Sequence, residues 1–205
     1  MLQNCKIFIL HHIPAAYRKQ KLQEDLNKVN LMYPIEWVED FLPEDIKHIK
    51  CNIKLTELSL TLKHQYVFEQ IVQQKLPYGI IFEDDVDLLS VDNLQCFIEK
   101  SIEEINEAQG DMLWIGDAWV GKYTIPKECK LANKLSYFSE NCWSRCTHAY
   151  IISLQGAKTM LENYNYDYAI DHLFNHIKRQ NSLNIGWTEP GLIQKTAEGL
   201  WQTIM

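Results

Sequence analysis

The sequence predicts an α/β fold in which helices flank a central, mostly parallel sheet. Three observations carry that expectation. Short apolar runs alternate along the chain with longer segments of helical period. The run Tyr78-Gly79-Ile80-Ile81-Phe82 lies between Pro77 and a carboxylate tract and is apolar without alternation, as a strand buried on both faces must be. No Gly/Ser linker, repeat or low-complexity stretch divides the 205 residues, so one domain is expected.

In order, Cys5–Leu10 reads as a short apolar first strand. Ala15–Asn30 reads as a helix, because Tyr17, Leu22, Leu26 and Val29 recur at helical spacing with charges between them. Ile35–Val38 is a second strand. Leu55–Gln74 is a long helix with Leu58, Leu62, Val67 and Ile71 on one face and neither Gly nor Pro inside it. Tyr78–Phe82 follows as a buried strand, then Val91–Ala108 as a helix with an acidic outer face. Asp111–Gly116 repeats the buried-strand pattern. Residues 117–141, with Gly121 and Pro126, read as irregular. Ala149–Ser153 is a strand leading into a helix at Leu154–Asn163, and Asp171–Arg179 is again helical. Leu183–Trp187 reads as a late strand, followed by a Pro-Gly turn and an apolar tail.

Composition narrows the function. With 46% apolar residues, 11% of the chain being aromatic, a packed core can offset chain ordering. The net charge is −7, from 27 acidic and 20 basic residues. Without a Lys/Arg cluster to displace counterions, nucleic acid is not an expected partner. An anionic nucleotide remains compatible if a divalent cation bridges it to the protein. Ile7–Leu10 is too short to span a membrane and no signal peptide precedes it, so a cytoplasmic enzyme without an integral membrane segment is the expectation. The six cysteines are scattered and read as reduced. Cys142-x-x-x-Cys146 near His148 lacks standard zinc spacing and a second ligand pair.

The chemistry concentrates in Phe82-Glu83-Asp84-Asp85-Val86-Asp87. Adjacent carboxylates repel one another, and a divalent cation relieves that repulsion. Mg²⁺ and Mn²⁺ favour oxygen donors and commonly use one or two carboxylates together with substrate phosphates and water. The tract follows a buried strand, and ligands of α/β sheets sit beyond the carboxyl ends of strands. A cation there can neutralise a diphosphate leaving group.

A second block, Glu57-Leu58-Ser59-Leu60-Thr61-Leu62-Lys63-His64, precedes Glu83-Asp84-Asp85-Val86. Together the two blocks resemble glycosyltransferase family 25, which includes lipooligosaccharide and collagen galactosyltransferases. That family carries Glu-Ile-Gly-Cys-Ala-Leu-Ser-His on a helix before its Glu-Asp-Asp motif. Tyr17-Arg18-Lys19 stands where the family has Arg-Arg, and Ala149–Ala157 resembles its later strand-to-helix segment. Asp171 and Pro190-Gly191-Leu192-Ile193-Gln194 match further elements. Ser59, Thr61 and Lys63 depart from the motif, which bears on the choice of sugar and nucleotide.

The resemblance implies a single GT-A-like domain, with a donor-binding half at about residues 1–116 and an acceptor-side half at about 117–205. It implies a metal ion (Mn²⁺ or Mg²⁺), a nucleoside-diphosphate sugar donor (UDP-galactose or UDP-glucose), inversion at the anomeric carbon, and a glycan, glycolipid or glycoprotein acceptor. Asp85 would ligate the metal and Asp87 would assist. His11, Arg18, Glu57, His64, Glu83 and Asp84 would serve the donor. Inversion needs a base for the acceptor hydroxyl, and Asp171 and Asp117 are the candidates. Structural readings stand beside these: Asp171 as a helix N-cap, His64 as a core histidine, and Arg18 as a solvated helix charge. His148 and His172 are weaker metal candidates. Trp119 and Trp201, placed in loop and tail, could stack on sugar faces. Two other functions fit the carboxylates: another metal-dependent nucleotide enzyme, which would usually show a Gly-rich basic phosphate loop near the first strand, and a non-enzymatic sugar-nucleotide-binding module.

Overall fold

Alternate residues of the apolar runs face opposite layers, and that is why these strands show no polar alternation. In the computed structural model, which describes residues 4–116, 135–138, 146–181 and 183–195, eight strands form one sheet. They are β1 (Lys6–Leu10), β2 (Ile35–Val38), β3 (Tyr78–Glu83), β4 (Val86–Asp87), β5 (Met112–Gly116), β6 (Ser136–Phe138), β7 (Ala149–Ser153) and β8 (Ile185–Gln194). Phe8, Ile81, Trp114, Tyr150 and Ile152 pack on one face with Val67, Phe68, Met160 and Phe174. Ile7, Ile9, Ile80, Phe82, Leu113 and Ile151 pack on the other with Leu22, Leu26, Phe97 and Ile102. Burying each such side chain contributes about 1.5–3 kcal/mol, so both layers are needed to hold the sheet.

The helices supplying those layers are α1 (Ala16–Leu26), α2 (Leu55–Gln74), α3 (Leu94–Glu107), α4 (Leu154–Glu162) and α5 (Ile170–Asn181). Local chemistry sets several ends. Glu57 accepts the Lys54 backbone N–H at 3.0 Å at the start of α2, and Lys75 ends that helix in the left-handed region at φ 53°. Asn93 caps α3 through Cys96 N, and Ser153 caps α4 through Gly156 N, each at 3.0 Å.

The strand order is β2-β1-β3-β7-β5-β8-β4, with β6 on β8. β1 is parallel to β2 and β3, and β5 is parallel to β8. β7 lies antiparallel between β3 and β5, which leaves those two pointing the same way. β4 and β6 run antiparallel to β8. The sheet is thus mixed but mostly parallel and flanked by helices, as expected. Among the described residues, no helix is long and apolar enough to cross a membrane. Cys5, Cys51 and Cys96 are free thiols.

The expected Pro-Gly turn is corrected: β8 continues through Pro190-Gly191 for ten residues, with Glu189–Pro190 cis. Proline cannot donate to a ladder and is tolerated in sheets at irregularities, and the β5–β8 register shifts between Trp114 and Gly116. Two helices are shorter than expected. Ile13–Ala15 forms a separate 3₁₀ turn before α1, which ends at Leu26, and α3 starts at Leu94 rather than Val91. The strand expected at Tyr78–Phe82 runs one residue further into the carboxylate tract, because β3 includes Glu83, and Asp87 belongs to β4.

Candidate active site

The ends of β1, β3 and β8 converge on the acidic turn. Asp84 N donates to Leu10 O at 3.1 Å, Glu83 N to His148 O at 2.9 Å, and Lys195 N to Asp85 O at 2.5 Å. Each carboxylate then meets different surroundings. Asp84 is buried and both its oxygens are engaged: His11 Nδ1 at 2.7 Å and His12 N at 3.2 Å face Oδ2, and Arg18 Nη1 donates to Oδ1 at 3.0 Å. His11 is itself 2% exposed and meets the edge of Trp37. Burial opposes the Arg18 charge, but Asp84 and then Asp85 outweigh it and raise the guanidinium pKa.

Asp85 accepts the Gln194 amide on Oδ2 at 3.0 Å, and Arg18 Nη1 stands 3.9 Å from the same oxygen. Its Oδ1 is buried with no hydrogen-bond partner among the described residues. Burial, followed by the neighbouring Glu83 charge, pushes the Asp85 pKa up from 3.8 to about 7. Glu83 goes the other way. Burial raises its pKa, but the facing His64 and the Thr147 hydroxyl, which donates to Oε1 at 2.5 Å, bring it below the ordinary value. Asp87 points elsewhere: its Oδ1 meets Lys195 Nζ at 3.0 Å and Leu89 N at 3.1 Å. Lys195 also holds the buried Asp25 of α1 at 2.6 Å.

Three cavities surround the turn. One of about 190 Å³ runs between the end of β1 and α2, past His11, His12, Ser59, Lys63, Glu83 and Asp84. One of about 280 Å³ is lined by Glu57, Glu83, Thr147, Asp171 and Gln194. A small one of about 50 Å³ lies among Tyr17, Arg18, Lys21, Asp84, Asp85 and Lys195. Glu83 is common to the first two, and Asp84 to the first and third. A larger cleft of about 600 Å³ beside Lys28–Asn30 and Val91–Cys96 shares no residue with the turn.

The fold therefore brings His11, Arg18, Glu83, Asp84 and Asp85 together, although they come from three separate stretches of sequence. Asp171, in the first turn of α5, reaches the same cavity as Glu83 and accepts from His172 N through Oδ1. Glu57 caps α2 and lines that cavity. His64 is fully buried behind Glu83. His148 is buried with Nε2 3.0 Å from Leu192 O, and His172 is exposed. Asp117, Trp119, Trp143 and Trp201 lie outside the described residues, as do Cys129 and Cys142. Trp114 and Trp187 stack on each other in the core, with ring centroids 5.4 Å apart. Nothing in the sequence singles out Thr147 or Lys195, and nothing there gives Gln194 a role. No local pattern marks them, since each meets the turn across a long separation in sequence.

Comparison with known proteins adds to this geometry. A family model described as glycosyltransferase family 25 (LPS biosynthesis protein) matches residues 10–174. The chain belongs to glycosyltransferase family 25. This family 25 chain is 29% identical over 107 residues to a Bos taurus protein named probable inactive glycosyltransferase 25 family member 3. That match takes in 51% of the chain and only 17% of the bovine protein's length. A solved structure, A197 from STIV, superposes over 95% of each chain at a TM-score of 0.44 and 12% identity.

A cation would meet an asymmetric donor set in this family 25 chain. Among the described residues, no group of three or more His, Cys, Asp or Glu is arranged to hold a metal ion. Asp84 is taken up by Arg18 and His11, and Asp87 by Lys195. The unpartnered Oδ1 of Asp85 fits a single protein ligand, with phosphate and water oxygens completing the shell, as Mg²⁺ and Mn²⁺ commonly bind.

Proposed function

We propose that this chain transfers a hexose from a nucleoside-diphosphate sugar, UDP-galactose or UDP-glucose, to a hydroxyl of a glycan, glycolipid or glycoprotein. The observation carrying this reading is the orphaned Asp85 Oδ1, buried in a turn walled by three cavities. A buried carboxylate oxygen without a donor costs stability, and a cation shared with a diphosphate removes that cost. Bound there, Mn²⁺ or Mg²⁺ would supply charge neutralisation for the departing diphosphate. Arg18 supports the same end by holding Asp84 and facing Asp85, while His11 fixes Asp84 from the other side.

In this reading the residues up to 116 form the donor side and those after it the acceptor side. The acceptor oxygen attacks the anomeric carbon as the bond to the diphosphate breaks, which inverts the configuration. Asp171 takes the acceptor proton from within the cavity it shares with Glu83 and Gln194. Asp117, which follows Ile115-Gly116 in the sequence, is the other candidate base, or a holder of the acceptor or donor sugar.

The test is calorimetry of UDP-galactose and UDP-glucose with and without Mn²⁺, on wild type and Asp85→Ala. Metal-dependent binding that Asp85→Ala abolishes is the expected result. Equal binding by the two proteins would refute the reading. A second reading, a sugar-nucleotide-binding module without transfer, draws on the bovine relative's name and on the engagement of Asp84 by Arg18. Metal-dependent donor binding without turnover of a bound sugar would favour it.

A further inference from the structure

His64 carries the family motif, yet it is fully buried and lines none of the three cavities around the turn. Its ring stacks on Tyr150 with centroids 5.6 Å apart and meets the edge of Phe174. Its Nδ1 lies 2.7 Å from the Tyr150 hydroxyl. Its Nε2 has no hydrogen-bond partner among the described residues and faces Glu83 Oε1 at 3.8 Å. We infer that His64 is a positioning residue for Glu83, carrying its proton on Nε2 while the Tyr150 hydroxyl donates to Nδ1.

A Tyr hydroxyl donates or accepts, so the 2.7 Å contact alone leaves the tautomer open. The carboxylate decides it. With the proton on Nδ1, a buried lone pair on Nε2 would face the acceptor oxygens of Glu83 in a low-dielectric core, where like partial charges repel strongly. With the proton on Nε2, the N–H dipole points at Glu83 and Tyr150 supplies the donor behind it. Burial disfavours the charged imidazole and lowers its pKa, which leaves the two neutral tautomers to compare. At 3.8 Å the contact is an electrostatic one, longer than a hydrogen bond. The His64 N–H and the Thr147 hydroxyl then converge on Oε1, which orients the carboxylate and leaves Oε2 for a ligand in the two cavities Glu83 lines. The inference rests on the transferase reading only for the use to which Glu83 is put.

The test is NMR of the full chain labelled with ¹⁵N-histidine, with His64 assigned through its loss in His64→Gln. The expected wild-type signature is a single neutral tautomer with an exchange-protected proton on Nε2. Glu83→Gln should move that proton's shift, because it removes the facing charge. Tyr150→Phe should move the Nδ1 resonance and leave Nε2 protonated. A wild-type proton on Nδ1, an imidazolium, or an Nε2–H shift unchanged in Glu83→Gln would each overturn the inference. If a variant does not fold, the wild-type spectrum decides, with His64 assigned from its through-space contacts to the Tyr150 and Phe174 rings. None of these measurements needs donor or metal, so this inference and the transferase reading fail separately.

Discussion

The Gln194 side chain donates to Asp85 Oδ2 at 3.0 Å, across 109 positions of sequence. One carboxylate oxygen is thereby spoken for and the other is left buried and unpartnered. This asymmetry makes Asp85 the costliest ionised group of the turn when no cation is present.

A pH dependence follows. The folded Asp85 carboxyl titrates at about 7 and its ordinary value is 3.8. Below both values the folded and unfolded chains are equally protonated. Between them the folded chain keeps a proton that the unfolded chain has lost, so Asp85 lowers stability as pH rises from 4 to 7. At about 1.4 kcal/mol per pKa unit the upper bound is about 4 kcal/mol. Asp85→Asn lacks this contribution. In chelator-containing buffer, urea melts should show its advantage over wild type growing from pH 4 to pH 8, and parallel pH curves would contradict the assignment.

Arg18→Met removes a cation from the buried Asp84. Because Arg18 is 34% exposed and His11 remains in place, the expected loss is about 1–2 kcal/mol, below that for a wholly buried pair. Denaturant unfolding at neutral pH measures it. Arg18→Lys should recover only part, since a lysine cannot reproduce the guanidinium's reach to both Asp84 and Asp85.

Gly116→Ala tests how β5 supports the site. A Cβ there would sit 2.4 Å from His148 Nε2, the atom that bonds Leu192 O. His148 must shift, and its backbone carbonyl holds Glu83 N. The expected cost is about 1–3 kcal/mol. Thermal denaturation reads that cost, and an unchanged melting temperature would show that His148 moves freely.

Asp171→Asn separates base from binder. If Asp171 takes the acceptor proton, turnover should fall by about 100-fold or more while UDP binding in Mn²⁺ is unchanged. Steady-state transfer rates alongside calorimetry distinguish the two effects. Retained turnover would direct attention to Asp117.

Much of this architecture was legible in the residues. Unalternating Ile80-Ile81-Phe82 signalled a strand covered on both faces, and the helical spacing of Leu58, Leu62, Val67 and Ile71 located α2 without a boundary error. Strand direction was not legible: β7 has the same apolar character as β3 and β5 yet runs opposite to both. Pro190-Gly191 read as a turn because those residues usually break ladders, whereas here a register irregularity between β5 and β8 accommodates them.

The sequence by itself determined that Glu83, Asp84 and Asp85 are covalent neighbours at the end of a buried strand, and its motifs pointed to the family. Only the tertiary structure gave the three carboxylates separate characters. Arg18 and His11 engage Asp84, His64 and Thr147 stabilise the Glu83 charge, and Gln194 leaves Asp85 half-satisfied and raised to about 7. The reason is physical. A carboxylate's identity is set by sequence, but its charge depends on burial and on partners within a few ångströms, and here those partners arrive from α1, α2 and β8, from His11 just after β1 and from Thr147 just before β7.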